Sequence, residues 1–259
     1  MHTKYSQAAA AAVMTLGASL AQADCGDLPN WSQLKAALVA AVAAETSGLD
    51  FQMWATLVDR DGVVCAVAFS GPNRGSQWPG SRVISAQKAN TANAFSLDGL
   101  ALSTANLYSA VQPGGSLFGL QHSNPVDTGV AYGGNSANNG MSNDFMVNKK
   151  IGGVNIFGGG LALYNNQIPR KVIGAVGVSG DTSCADHMIG WRVRHNLALD
   201  YLTGVGGVAA LFSGDPAHPD NIVYDITANP GGGTGNSLKG FGHPMCLNTG
   251  APSGLPAVQ

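Results

Sequence analysis

The chain has 259 residues, with 13 basic and 15 acidic side chains, and only 11% of it is charged. That balance excludes a nucleic-acid or anionic-membrane partner, because both need a basic surface to release counterions or meet headgroups. An average domain is about 25% charged, so this chain must bury much of its surface, and self-association into a homo-oligomer would serve that need.

The first 23 residues have the three parts of an export signal. His2 and Lys4 lie in a short polar start, residues 8–20 form a small and apolar run, and Ala21-Gln22-Ala23 supplies a small-x-small site. Cleavage is expected after Ala23, giving a periplasmic or secreted protein that begins at Asp24. Losing Lys4 leaves 12 basic residues against 15 acidic ones, a net charge of −3. No later run approaches the roughly 18 apolar residues of a membrane span.

Cys25, Cys65, Cys184 and Cys246 all follow the leader. An even, widely spaced set in an exported chain reads as two disulfides. None sits in a CxxC or CxxCH, so a redox dithiol, a zinc ribbon and covalently attached haem lack their spacing. Three pairings are open. The favoured one joins Cys25 to Cys246 across the two ends and Cys65 to Cys184 across the body.

In chain order, Asn30 and Gln33 suit an N-cap and its N3 partner, and Trp31, Leu34, Leu38 and Val42 recur at helical spacing up to Ser47-Gly48. Residues 51–59 and 63–69 read as strands joined by Arg60-Asp61-Gly62 into a β-hairpin. A second helix is expected over residues 81–95 and a third over 102–111, ending at Pro113-Gly114. Residues 121–150, rich in Asn, Gly and Ser, read as a long loop or insertion. Residues 161–164 and 171–178 form a second hairpin around Asn165-Asn166. A last helix follows Ser179-Gly180-Asp181, with Ser183 and Asp186 as a capping pair and Ile189, Val193 and Leu197 as its buried stripe. Residues 201–259, with Gly231-Gly232-Gly233 and several prolines, form a C-terminal extension. The order is that of an α+β domain with an antiparallel sheet.

Several near-matches fail. Residues 204–209 fit GxGxxA but lack the βαβ unit and acidic partner of a dinucleotide site. Residues 177–181 end in Asp181 where a nucleophile elbow needs glycine. Asn30-Trp31-Ser32 matches a glycosylation acceptor, but its place at a helix start explains it as a cap. On the last helix, His187, Trp191, Arg194 and His195 share one side, away from the apolar stripe. That face reads either as a clasp for a flat anionic ligand or as an oligomer contact.

Residues 86–92 (Ala-Gln-Lys-Ala-Asn-Thr-Ala) with Phe95 form one marker. Residues 158–164 (Gly-Gly-Gly-Leu-Ala-Leu-Tyr) and 172–180, running into Cys184-Ala185-Asp186-His187, form another. Together, and after the Asp61-Gly62 hairpin, they resemble the GlcG/HbpS family of haem-binding or haem-degrading-like proteins, related to the C-terminal domain of PduO-type cobalamin adenosyltransferases. The resemblance spans residues 34–199 apart from the insertion. It implies a profilin-like α/β/α domain over residues 24–200 with a five-stranded antiparallel sheet, assembly into dimers or larger rings, and haem or another tetrapyrrole as ligand. The insertion, the four cysteines and the extension depart from simpler members.

The ligand-binding residues carried over are Lys88, Gly158, Gly159, Gly160, Ser179, Gly180 and Asp186, with Trp191 and Arg194 from the helix face. The glycine turns would let backbone approach a ligand, and Lys88 would meet a carboxylate. His187 would be the axial ligand to haem iron, with His195 as the alternative. The resulting expectation is an exported haem-binding protein for haem capture, buffering or slow degradation. The alternatives are an enzyme acting on a small organic acid through Lys88, Asp186 and His187, and a structural oligomer without a small ligand.

Overall fold

In the computed structural model, which describes residues 24–227, 229 and 235–259, Asn30 and Gln33 close the expected capping box. Asn30 Oδ1 accepts from the Ser32 and Gln33 amides, and the Asn30 amide donates to Gln33 Oε1 at 2.9 Å. Helix α1 (Trp31–Ala43) starts there and buries Leu34, Leu38 and Ala41. The leader expected over residues 1–23 and the Gly231-Gly232-Gly233 run lie outside the described residues.

Strands β1 (Trp54–Asp59) and β2 (Val64–Phe69) form the first hairpin. Asp59 Oδ1 accepts from the Asp61 and Val63 amides, and Gly62 takes a φ of 78° that a side chain would strain. After these come α2 (Ser81–Phe95), β3 (Leu100–Ala101), α3 (Thr128–Ala131), β4 (Gly160–Tyr164), β5 (Val172–Ser179) and α4 (Ser183–Asn196). The extension adds β6 (Gly206–Gly207), α5 (Val208–Ser213), β7 (Ile226–Thr227) and β8 (Asn236–Ser237).

The main sheet is antiparallel in the order β2-β1-β5-β4, with four strands rather than the five expected. Strand β3 pairs instead with β6, in a separate parallel pair. The chain returning from α4 adds no strand to the β4 edge, pairing with it through the isolated Tyr164–Asp200 bridge. At the opposite edge the insertion blunts β2, bridging Val63 to Lys150.

The sheet is buried on both faces, which is why β1 and β5 read as nearly unbroken apolar runs. Ala55, Leu57, Val176, Val178, Leu161 and Leu163 point to α1 and α4. Trp54, Val58 and Ala175 point the other way, to α2 and to Met146 and Ile151. This gives the α/β/α layering. Helix α2 approaches β5 very closely: a Cβ on Gly177 would lie 1.9 Å from the Ser85 carbonyl oxygen. Thr56 Oγ1 and Ser85 Oγ share a hydrogen bond of 2.7 Å beside it.

The third helix expected over residues 102–111 is two 3₁₀ turns, Thr104–Leu107 and Ser109–Val111. Ser103 and Asn106 satisfy each other there in a tight cap, which leaves the turn short. The insertion is tied down by a buried ion pair. Arg82 Nε donates to Asp144 Oδ2 at 2.7 Å, and the Gly140 and Met146 amides donate to the same carboxylate.

The disulfides correct the favoured pairing. They join Cys25 to Cys65 and Cys184 to Cys246, with Cα separations of 5.3 and 5.9 Å. Cys25 lies beside β2 because the N-terminal turn packs on the sheet's α1 face. Cys246 lies over the first turn of α4 because the extension folds back along that helix. The two ends of the described chain are each stapled to the body, not to each other.

Candidate functional site

Helix α4 begins one turn after β5 and organises every candidate group. Thr182, not Ser183, is its N-cap, accepting from the Ala185 amide. Asp186 reaches back instead of capping with Ser183. Its Oδ1 accepts from the Gly180 and Asp181 amides at 3.1 and 2.9 Å, and its Oδ2 from Lys88 Nζ at 2.6 Å. Lys88 Nζ also donates to the Val178 carbonyl. Both side chains are buried. Burial pushes the Asp186 carboxyl up to about 6 against the pull of the ammonium, and it pushes Lys88 down despite that carboxylate. Lys88 therefore welds α2 to α4 and presents no charge to a ligand.

The glycines are likewise filled by protein. A Cβ on Gly158 would lie 2.3 Å from the Ser183 carbonyl oxygen, one on Gly159 2.4 Å from that of Val178, and one on Gly160 2.5 Å from that of Lys88. A Cβ on Gly180 would meet the Gln52 oxygen at 2.6 Å, and Ser179 is buried at the end of β5. These positions admit the backbones of α2, α4 and the start of β1 to close contact.

His187, Trp191 and Arg194 are fully buried under the extension, so they form neither an open clasp nor a contact face. Arg194 pairs with Asp220, its Nη1 and Nη2 donating at 2.6 and 2.9 Å. Trp191 Nε1 donates to the Pro256 carbonyl at 2.9 Å. His187 Nε2 lies 3.2 Å from Asn221 Oδ1 and 3.1 Å from the Ile222 amide, while its Nδ1 is buried with no hydrogen-bond partner among the described residues. Burial lowers this imidazole to about 4, which keeps it neutral. Lys88, Asp186 and His187 are all sealed from solvent, which removes the access an acid/base enzyme on a small acid would need.

His195 is arranged differently. Its Nδ1 lies 2.7 Å from Asp200 Oδ2, and its side chain is 37% exposed. A groove of about 420 Å³ runs past it, lined by Ala40, Ala44, Arg192, Leu255 and Pro256 among others. Arg192 is held by Glu45 at 3.2 Å. A carboxylate that takes one ring N–H fixes the tautomer and leaves the other nitrogen as a stronger ligand. Neither Asp200 nor Arg192 stood out in the sequence. The His195–Asp200 pair forms only because Ala198, at a φ of 53°, turns the chain back at the end of α4.

A larger groove, of about 750 Å³, is lined by Arg60, Asp98 and Lys171 among others. It contains cations and apolar walls but no imidazole, thiol, thioether or phenol. Near the start of α4, the Gly158 amide donates to Ser183 Oγ at 2.6 Å, and Ser183 Oγ lies 2.7 Å from His243 Nε2. No pattern in the sequence pointed to His243.

The family model described as haem-degrading protein HbpS-like matches residues 30–192. The chain belongs to that family. Among solved structures it is similar to ORFY of Klebsiella pneumoniae, at 26% identity over 72% of this chain and 98% of that one, with a TM-score of 0.45. It is also similar to PduOC in a haem complex, at 24% identity over 64% and 89% with a TM-score of 0.43. A double mutant of HbpS from Streptomyces reticuli matches at 15% identity over 73% and 99%, with a TM-score of 0.44. No curated protein matches. The matched residues of this HbpS-like chain include His187 and Trp191 but stop short of Arg194, His195 and the whole extension.

An axial ligand to haem iron needs an unprotonated ring nitrogen with space in front of it. His195 has the space, its Nε2 facing the groove without a protein partner among the described residues. His187 has the nitrogen without the space. Among the described residues, no helix is long and apolar enough to cross a membrane.

Proposed function

We propose that this HbpS-like protein is exported and binds haem in the groove beside His195. The observation that carries the reading is the His195–Asp200 pair, an accessible imidazole whose other nitrogen is held by a buried carboxylate. His195 Nε2 would be the axial ligand. Asp200 would hold Nδ1–H and fix the orientation of the ring. Ala40, Ala44, Leu255 and Pro256 would face the macrocycle, and Arg192 would meet a propionate. Bound haem would supply iron-centred chemistry, and the chain would supply the ligand, its orientation and the apolar wall.

Export rests on the leader read in residues 1–23 and is supported by two disulfides, which persist in oxidising compartments. Self-association is part of the same reading: Ile168 is 92% exposed and Leu238 83%, on a chain with little charge to keep copies apart.

Haemin titration of the purified protein tests the proposal. A saturable, red-shifted Soret band is expected, weakened by His195→Ala and unchanged by His187→Ala. The reverse pattern would assign iron to His187 Nδ1, which is buried without a hydrogen-bond partner among the described residues, and would require the packing around that nitrogen to open. A flat titration at micromolar haemin overturns both.

A further inference from the structure

We propose that reduction of the Cys184–Cys246 disulfide converts this corner of the protein into a metal site, in which Cys184, Cys246 and His243 hold a soft divalent ion of the Zn²⁺ class. The proposal does not depend on haem binding.

The ligand atoms are already gathered. Cys184 Sγ, Cys246 Sγ and a ring nitrogen of His243 all lie within 4.8 Å of one another. His243 Nδ1 is the nearer nitrogen, at 3.9 Å from Cys184 Sγ. In a tetrahedral site with metal–sulfur bonds of about 2.3 Å and metal–nitrogen bonds of about 2.0 Å, ligand atoms sit roughly 3.5 Å apart. Reduction lets the two sulfurs separate from bonding distance toward that spacing. Measured from Cys184 Sγ, the imidazole is then too far away by a few tenths of an ångström.

The surroundings favour the charged ligands. The Cys184 amide, in the first turn of the 14-residue α4, points at Cys246 Sγ at 3.2 Å. A helix N-terminus and an amide N–H both stabilise a thiolate. The Cys246 amide is itself fixed by Thr249 Oγ1 at 2.8 Å, so the loop holding this sulfur is not loose.

The imidazole has a partner ready for the tautomer that metal binding requires. As folded, Nδ1–H donates to the Pro244 carbonyl at 2.7 Å and Nε2 accepts from Ser183 Oγ. With metal on Nδ1 the Pro244 carbonyl must turn away, and the proton moves to Nε2, which donates to the same Ser183 Oγ. That is the hydrogen bond to the far ring nitrogen found around metal-bound histidines. Tyr108 stacks against the ring with centroids 4.8 Å apart and holds its plane. Among the described residues, the other cysteine pair has only Asp59 beside it as a further metal-ligand type. One oxygen of that carboxylate is spent on the Asp61 and Val63 amides, and no imidazole is present.

The chemistry balances with a dithiol as reductant. The dithiol gives two electrons and two protons to the Cys184–Cys246 bond and becomes a disulfide itself. The two thiols formed lose their protons to solvent as the metal binds, leaving two thiolates and a neutral imidazole. Three protein ligands leave a fourth position for water. The metal would then replace the disulfide as the link between α4 and the extension.

The test is Co²⁺ titration of the protein reduced with dithiothreitol and desalted without oxygen, compared with the oxidised protein. The reduced protein is expected to take up one Co²⁺ with thiolate charge-transfer absorption and the visible bands of a tetrahedral ion, and the oxidised protein none. Air oxidation should release the ion. Ser183→Ala should weaken binding about 10-fold, and His243→Ala should abolish the tetrahedral bands. A Cys25→Ser, Cys65→Ser double variant should keep them. The proposal is overturned if the reduced chain, folded or not, shows no bands at millimolar Co²⁺. It is equally overturned if His243→Ala leaves them unchanged, or if the double variant loses them while its near-UV circular dichroism stays native.

Discussion

Lys88 Nζ lies 2.6 Å from Asp186 Oδ2, and neither side chain is more than 3% exposed. Removing one partner leaves a charge in the interior without its counter-charge. Lys88→Ala or Asp186→Ala is expected to cost about 3–5 kcal/mol in urea denaturation. If haem sits beside His195, Lys88 variants that remain folded keep wild-type haemin affinity, whereas a Lys88 that met a propionate would lose it.

Gly177 faces the Ser85 carbonyl oxygen at a distance no side chain permits. Gly177→Ala should therefore push α2 off the sheet and destabilise the domain by at least about 1–3 kcal/mol. A thermal melt no lower than wild type would show that α2 does not pack on β5 as described.

Acid should loosen the region under the extension. Burial lowers His187 and His243 from 6.5 to about 4, so between those values the unfolded chain takes up protons that the folded chain refuses. Stability from both groups is fully present above about pH 6.5 and drains as pH falls toward 4, each group contributing on the order of 3 kcal/mol over the full window. Asp186, raised to about 6, binds its proton more tightly when folded and opposes this trend by one proton between about pH 4 and 6. The steepest net loss is expected between about pH 6 and 5, where the two histidines outweigh the single opposing proton of Asp186. Denaturation midpoints measured across that range would show it, and a midpoint that is flat or rises on acidification contradicts it.

Peptide mapping under non-reducing conditions should find Cys25 with Cys65 and Cys184 with Cys246. Closing loops of 40 and 62 residues is worth about 4 kcal/mol each in the chain-entropy account. Replacing the second pair by serine should also expose Trp191, which lies buried under the extension with its indole N–H on Pro256. A red shift in tryptophan emission would report that release.

Local pattern carried the elements far. The Asn30 capping box, the Asp61-Gly62 hairpin, α2 from Ser81 and the second hairpin all stand where the spacing of their residues put them. Each depends on residues within a few positions of one another. The family, too, was legible in two stretches of α2 and β4–β5, because those glycines and alanines are where helix and sheet backbones touch.

What lay beyond local pattern was anything that joined distant segments. Helical spacing correctly put His187, Trp191 and Arg194 on one side of α4, but it could not show that Asp220, Asn221 and Pro256 return to cover that side. The count of cysteines implied two disulfides, and only the path of the extension decided which sulfurs meet. The sequence by itself determined the order of elements, the two apolar faces of the sheet and the need to bury nearly everything. The tertiary structure decided which histidine is sealed and which stays open. A side chain's exposure depends on what packs over it from elsewhere in the chain, and periodicity within one helix carries no record of that.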